Sequence, residues 1–426
     1  MTADDAVPQA GTGALAGTRV VELAQNAAIP YCGRLLAGMG ADVVKVEPPG
    51  GDAMRRLAQL GPLESKAYAT INPGKRALAL DLDAPGSADV LDGLFRWADI
   101  ALVAFKQSDL ERFGIDYRSA QESNPSIVYV VHTAFGPDGP DAEQGGYDVL
   151  VQAFSGMGFI MNRSSGGVPL PTRPAVNDFG TGMVSALAAV AALRHRDLTG
   201  EGQRVDTSLL GTAFGLSTPI VGFFDAVDRE PIAEFEEDLR HLRSAGVDFD
   251  GQRELYETRV LAGQGAFQLY FRHYGTSDGL IAIAGLSAGL IAKFHEVTGV
   301  ARPSDPSAVE DPGFQTVVAA AEAVFRSRST ADWLEVLREA GVPSSRYNTP
   351  VESIREEQAE VNGFVTDLEH PVFGSYRTVG MPFLMERTPT RIAGPSPTFG
   401  QHTDEVLAEI GLGSVIGDLR RRGVVT

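Results

Sequence analysis

Cysteine is nearly missing from this chain of 426 residues. Cys32 stands alone, so no internal disulfide can form, and a reducing, cytoplasmic setting is expected. Cys32 itself reads as a small apolar residue packed on a helix. Positive charge is also scarce: 36 Lys and Arg stand against 55 Asp and Glu, for a net charge of −19. That balance argues against nucleic acid or an anionic membrane as partner, but leaves room for a phosphorylated ligand in a local basic pocket. No apolar run in the sequence approaches the roughly 18–20 residues that span a bilayer. Residues 1–17 lack the basic start and apolar core of a signal peptide, and a disordered leader is expected there. The loop after the first apolar segment reads Ala24-Gln-Asn-Ala-Ala-Ile-Pro30, not G-x-G-x-x-G, which excludes a nicotinamide dinucleotide at its usual place. With no Walker A loop, H-E-x-x-H or Cys/His cluster, neither a metal nor a permanently bound cofactor is expected.

What is present is an alternation of short apolar strands and helices. Residues 19–23 (RVVEL), a helix near 31–39 and residues 41–47 (ADVVKVE) form a strand–helix–strand unit with a right-handed crossover. Strands at 77–82, 100–105 and 126–135, with helices between them, extend it into a doubly wound α/β domain. The expected organisation is a large domain over 18–212, a linker over 213–262, a smaller α/β domain over 263–346 and a C-terminal return over 347–426. Within the small domain, 266–274 and 280–284 read as strands.

Residues 171–195 (PTRPAVNDFGTGMVSALAAVAALRH) carry the strongest chemical signal. Two prolines hold the start extended, and from Phe179 the Ala-rich run predicts a buried helix. Asp178 then stands in N-cap position. It either caps the helix or, as a carboxylate ionised at neutral pH, attacks a thioester without needing a base. The GLSAG segment at 285–289 matches the nucleophile elbow G-x-S-x-G around Ser287, with Asp305 or Asp311 and His370 or His402 downstream in hydrolase order. The competing role for Ser287 is a helix cap. Lys75 and Arg76 lie at a turn before a strand. Lys106 and Arg112 follow the strand at 100–105, on the rim where open α/β sheets bind ligands. Tyr147 is either a packing residue or a hydroxyl donor at a pocket edge.

Several motifs in order resemble the family III CoA-transferases of the CaiB/BaiF type. These are GADVVKVEPPG (40–50), NPGKRALALD (72–81), LERFG (110–114), GGYD (145–148), TGEGQRVDTSLL (199–210) and FGQHTDE (399–405). The resemblance implies a CoA-transferase that moves CoA from an acyl-CoA to a free carboxylic acid, built as an interlocked homodimer. Asp178 falls on the family's catalytic aspartate, with Tyr147 and the backbone N–H of Gly180 beside it. Gly180 and the turn at Gly263-Gln-Gly265 are candidate oxyanion donors. Lys75, Arg76, Lys106 and Arg112 are implied as the CoA phosphate contacts, with Ala27 and Phe105 lining the site. The family's Glu-Arg-Pro-Gly signature is here Glu47-Pro48-Pro49-Gly50, so one arginine contact is lost or moved. Racemases of the same family remain an alternative, but they carry His where this chain has Tyr147, and a phenol is a poor base at neutral pH. A serine hydrolase built on Ser287 and a catalytically idle CoA-binding protein are the further alternatives.

Overall fold

The computed structural model describes residues 13–260, 265–304 and 312–426. They divide into two compact units, one made of Met1–Gly222 with Glu357–Thr426, the other of Phe223–Glu356.

The first unit is built on six parallel strands: β1 (Arg19–Leu23), β2 (Asp42–Glu47), β3 (Arg76–Ala79), β4 (Ile100–Val103), β5 (Val128–Thr133) and β6 (Gln203–Ser208), in the spatial order β6-β5-β4-β1-β2-β3. This is the 3-2-1-4-5-6 order, in which the winding reverses between β1 and β4 and opens a crevice at their carboxyl ends. Both faces of the sheet are covered, so the inner strands are apolar throughout rather than alternating. Val21, Leu23, Ala101, Val103, Tyr129 and Val131 turn to one face and pack on helix α2 (Ser87–Trp97). Val20, Ile100, Leu102, Val128 and Val130 turn to the other, under helices α1 (Ala28–Gly38) and α5 (Val176–Thr199). Two short helices, α3 (Gln107–Phe113) and α4 (Asp148–Phe154), and helix α6 (Leu209–Leu216) complete the rim above the strand ends.

The C-terminal residues belong to this unit. The His402 N–H donates to Ala77 O at 2.9 Å and the Ala77 N–H to His402 Nδ1 at 3.1 Å, while Leu407, Leu419, Val424 and Val425 enter the core on the α2 face. Among the described residues α5 is long and apolar enough to cross a membrane. Here one side of it is laid against α1 and the sheet, with Ala186, Ala189, Ala192 and Leu193 buried.

In the second unit, α7 (Asp225–Ser244) and α8 (Phe249–Arg259) form a helical hairpin joined by Arg259–Asp238 at 3.0 Å and by the Phe235 and Tyr256 rings, with no residue fully buried. An antiparallel sheet of β7 (Phe271–Gly275), β8 (Leu280–Ala284) and β9 (Ser344–Arg346) packs with three helices, α9 (Ala288–Thr298), α10 (Pro312–Arg326) and α11 (Thr330–Glu339), around Phe294, Phe325 and Trp333.

The structure departs from the sequence expectations at four places. Residues 13–17, counted as disordered leader, pack on the end of α1 and bury Leu15, while 1–12 lie outside the described residues. The segment read as a linker is largely helical. The strand expected from residue 266 is helix up to Tyr270, because Leu269 and Tyr270 are both drawn into the small core. The sixth strand, β6, was not foreseen: its charged residues Arg204 and Asp206 point to solvent at the sheet edge and pair with each other at 2.7 Å.

Candidate active site

A cavity of about 540 Å3 opens at the carboxyl ends of β1, β4 and β5, where the winding reverses. Gln25–Ile29 follow β1, Ala104–Lys106 follow β4 and His132–Ala134 end β5. The loop reaching Tyr147 closes one side, and Asp178 and Leu209 another. Gly146 lets that loop close down, since a side chain there would place its Cβ 2.3 Å from that of Ala134. Ala27, Phe105, Lys106, Tyr147 and Asp178, distant in sequence, thus meet in one cavity.

Helix α5 begins at Val176, so Asp178 is its third residue rather than its cap. The N-cap is Ala175, which has no side chain to bond the helix end. That task falls to Asp148 instead: its Oδ1 accepts from the Asn177 N–H at 2.8 Å, and its Oδ2 accepts from the Gln152 amide. Gln152 Oε1 in turn accepts from Thr172 N–H at 3.0 Å, which ties α4 to the segment entering α5. The Asp178 carboxylate is left half-buried, facing the cavity, with no protein donor reaching it among the described residues. Burial, and after it the charge of Asp148, pushes its pKa up to about 6. At neutral pH it is therefore an ionised but poorly stabilised carboxylate, which makes it a stronger nucleophile than a solvated one. The capping role considered for Asp178 is excluded by this arrangement.

Lys75, Arg76 and Arg112 do not join the cavity. Lys75 is buried, with its ammonium on Glu22 Oε2 and Pro30 O, both at 2.7 Å, and on Asn72 Oδ1 at 2.8 Å. Arg76 starts β3 at the amino ends of the strands, on the opposite rim, where Asp42, Glu405 and Glu409 take its guanidinium. Arg112 is exposed, pairs with Asp83 and lies over the Phe113 ring. Lys106 is the cation among the cavity residues; it is exposed and, among the described residues, paired with no carboxylate. Gly180 is the fifth residue of α5, past the first turn whose N–H groups lack helical partners, so its N–H is committed to the helix. It serves packing instead: a Cβ there would meet Thr212 at 3.0 Å and Leu216 at 3.2 Å. Of the second oxyanion candidate, Gly263 and Gln264 lie outside the described residues.

Lys75 belongs to a buried ionic network that sequence reasoning missed. Lys45 contacts Glu22 at 2.9 Å and Asp52 at 2.8 Å, and Glu47 holds Arg55 at 2.6 Å and the Tyr68 hydroxyl at 2.9 Å. Burial opposes the charge on Lys45, but Glu22, Asp52 and Glu47 together more than offset it and hold its pKa above the usual range. The network anchors the cavity floor: Lys45 Nζ donates to Ala24 O at 2.7 Å, and Asp52 Oδ1 accepts from the N–H of Asn26 at 3.2 Å. Asn26 is held there in the left-handed region, φ +68°. His132 was missed as well; lone histidines carry no sequence signal without a visible partner.

Ser287 caps α9, accepting from the Leu290 N–H at 3.3 Å. His370 Nδ1 accepts from Val372 N–H and His402 Nδ1 from Ala77 N–H, so both candidate bases are in structural use, while Asp305 and Asp311 lie outside the described residues. The elbow match is a glycine turn before a capped helix. No group of three or more His, Cys, Asp or Glu among the described residues is placed to hold a metal ion.

Comparison with known proteins gives a consistent result. The sequence model described as CoA-transferase family III matches residues 15–403. Succinate–glutarate CoA-transferase of Agrobacterium fabrum is 30% identical over 409 residues, covering 93% of this chain and 95% of that protein. Succinyl-CoA:mesaconate CoA-transferase of Haloarcula hispanica is 29% identical over 420 residues, covering 94% and 98%. Among solved structures, a CaiB/BaiF family protein from Brucella suis matches with a TM-score of 0.72 at 24% identity, over 94% of this chain and 100% of that one.

Proposed function

Since the chain belongs to CoA-transferase family III and is a CoA-transferase of that family, we propose that Asp178 is the nucleophile that carries CoA from an acyl-CoA to a free carboxylic acid. The observation that carries this reading is the Asp178 carboxylate itself, half-buried at the cavity wall, bonded to no protein donor among the described residues and relieved of capping by Asp148. The carboxylate attacks the acyl carbonyl, expels CoA thiolate and becomes a mixed anhydride. The thiolate then attacks the aspartyl carbonyl, leaving Asp178 as a CoA thioester and releasing the donor acid. The acceptor carboxylate attacks that thioester, and the same two steps run in reverse to give the new acyl-CoA and free Asp178. Thioester energy is conserved, so no nucleotide hydrolysis is required.

CoA phosphates fall to Lys106, with its stem against Gly145, and the pantetheine arm runs past Ala27 and Phe105 towards Asp178. Tyr147, 64% exposed at the cavity edge, is placed to meet the acyl group. The N–H groups of Val176 and Asp178, in the first turn of α5, replace Gly180 as oxyanion donors. A homodimer is part of the same proposal: Met183, Val184, Leu187 and Leu198 on α5, with Phe214 and Leu216 on α6, are large apolar side chains exposed to solvent, which a second copy of the chain would cover. The setting we assign is cytoplasmic, where the buried Cys32 thiol stays reduced.

Incubation with acyl-CoA followed by hydroxylamine tests the nucleophile. A hydroxamate on the peptide containing Asp178, detected by mass spectrometry, is expected. Turnover with no adduct on Asp178 overturns the assignment.

A further inference from the structure

Residues 128, 130 and 132 of β5 turn to the same face of the sheet, the one covered by α1 and α5. Val128 and Val130 disappear into that core, and the next position on the face, at the carboxyl end of the strand, is His132. It lines the cavity together with Asp178, among Ala28, Ala134 and Leu209, all of them buried and apolar. Its Nδ1 is sealed from solvent and meets no hydrogen-bond partner. No described group bonds its other nitrogen either, and since Nδ1 is sealed, Nε2 is the nitrogen left to face the cavity. Burial lowers the pKa of the ring to about 4, so it is neutral through the physiological range. A neutral imidazole has one donor and one acceptor. Leaving the sealed Nδ1 as an unfilled acceptor is less costly than burying an N–H there, which puts the proton on Nε2.

An uncharged donor at the end of an apolar wall is badly placed for a phosphate, which calls for cations. It is well placed for one oxygen carried on an otherwise apolar chain. We propose that His132 is a specificity-determining residue: Nε2–H donates to an oxygen on the acyl chain beyond the reacting carboxyl, so the preferred acids carry a second carboxylate or a hydroxyl. This inference rests on the reading that donor and acceptor acids react in this cavity. A site built around a desolvated donor discriminates strongly against the analogue lacking the acceptor, because the donor is then left unpaired.

The test uses two matched pairs of acceptor acids, glutarate against valerate and 3-hydroxybutyrate against butyrate. For each, kcat/KM is measured in the wild type, His132→Phe and His132→Gln. The wild type should favour the oxygenated member of at least one pair. His132→Phe should reduce that preference roughly tenfold, with a smaller change in the KM for a donor whose acyl chain carries no oxygen, such as butyryl-CoA. His132→Gln, which keeps a neutral donor, should retain most of it. The preference should stay flat between pH 6 and 8, since the ring does not titrate there. Equal losses for both members of each pair, or changes below twofold, would overturn the proposal. Binding is read independently of turnover by nitrogen-15 NMR of labelled histidine: the resonance absent from His132→Phe should move on addition of the oxygenated acid and not of its partner. If the enzyme transfers no CoA yet that resonance moves, the functional reading has failed and the His132 contact stands. Transfer without any movement or selectivity has the opposite meaning.

Discussion

Two groups of charged side chains lie near the ends of the same strands, and they are treated in opposite ways. In the network around β1 and β2, Glu22, Lys45, Glu47, Asp52, Arg55 and Lys75 are buried and each one is ion-paired. In the cavity, Asp178 and Lys106 have no ionic partner among the described residues. Removing a charge from water without a partner costs free energy, so the half-buried Asp178 carboxylate is held at a cost to stability, while the exposed Lys106 carries no such penalty. The difference separates charges that build from the charges we propose to act: the first group holds the backbone at Ala24 and Asn26, on the floor of the cavity that the second group lines.

Removing the acting charge should have the largest effect. Asp178→Ala is expected to lower CoA transfer by more than about a thousandfold while the circular dichroism spectrum holds and the melting temperature does not fall. A variant that unfolds instead would put Asp178 in the building group. Breaking the building group should show the reverse pattern. Lys45→Met leaves Asp52 buried without its cation and Glu22 with Lys75 alone, and urea unfolding should register a loss of about 3–5 kcal/mol; a loss below about 1 kcal/mol would mean that the network contributes little.

The pKa of Asp178 sharpens the contrast. Because the folded state holds this proton more tightly than the unfolded chain does, the group's stabilising contribution is present below pH 4 and is lost as pH rises through about 6. Asp178→Asn should therefore be more stable than the wild type at pH 7–8 by about 1–3 kcal/mol, with the advantage gone below pH 4. The acid limb of kcat/KM should fall near pH 6 in the wild type. A limb in the ordinary carboxylate range, or no stabilisation by Asn, would contradict a strained carboxylate. Lys106→Ala should raise the KM for acyl-CoA roughly tenfold, and less for a donor cut back to its pantetheine arm. The smallest effect is expected from Arg112→Ala, already paired with Asp83 outside the cavity: its KM should stay within about twofold of wild type, and a larger rise would return Arg112 to the site.

The parts of the fold most legible in sequence were those whose burial is two-sided. Val20, Val21, Val43 and Val44, like Ile100–Val103, form short unbroken apolar runs because helices cover both faces, and such runs stand out. Strand β6 was hidden for the opposite reason: at the sheet edge it carries Arg204 and Asp206 outward and, among the described residues, pairs with β5 alone. Of the residues proposed for the site, Asp178 stood out from its place before a small-residue helix, Tyr147 from the GGYD motif, Lys106 from its place beyond the strand at 100–105, and Ala27 and Phe105 through the family resemblance. The phosphate role given to Lys75 and Arg76 was misjudged because adjacent cations at a turn look alike in sequence. In the fold the strand sends one inward to Glu22 and the other to the opposite rim.

The sequence by itself determined the parallel sheet, its helical layers, the family and the aspartate at the head of α5, because each rests on local pattern: apolar period, turn residues and motif order. The tertiary structure alone decided which charges are paired and which are left open to the cavity. Whether Asp178 caps or reacts depends on Asp148, thirty positions earlier in the chain, reaching the Asn177 N–H first. Whether a lysine meets a phosphate or a glutamate depends on which end of a strand it occupies and what lies across from it. Charge interactions act through space and are set by desolvation and distance, and neither quantity is written in the order of residues along the chain.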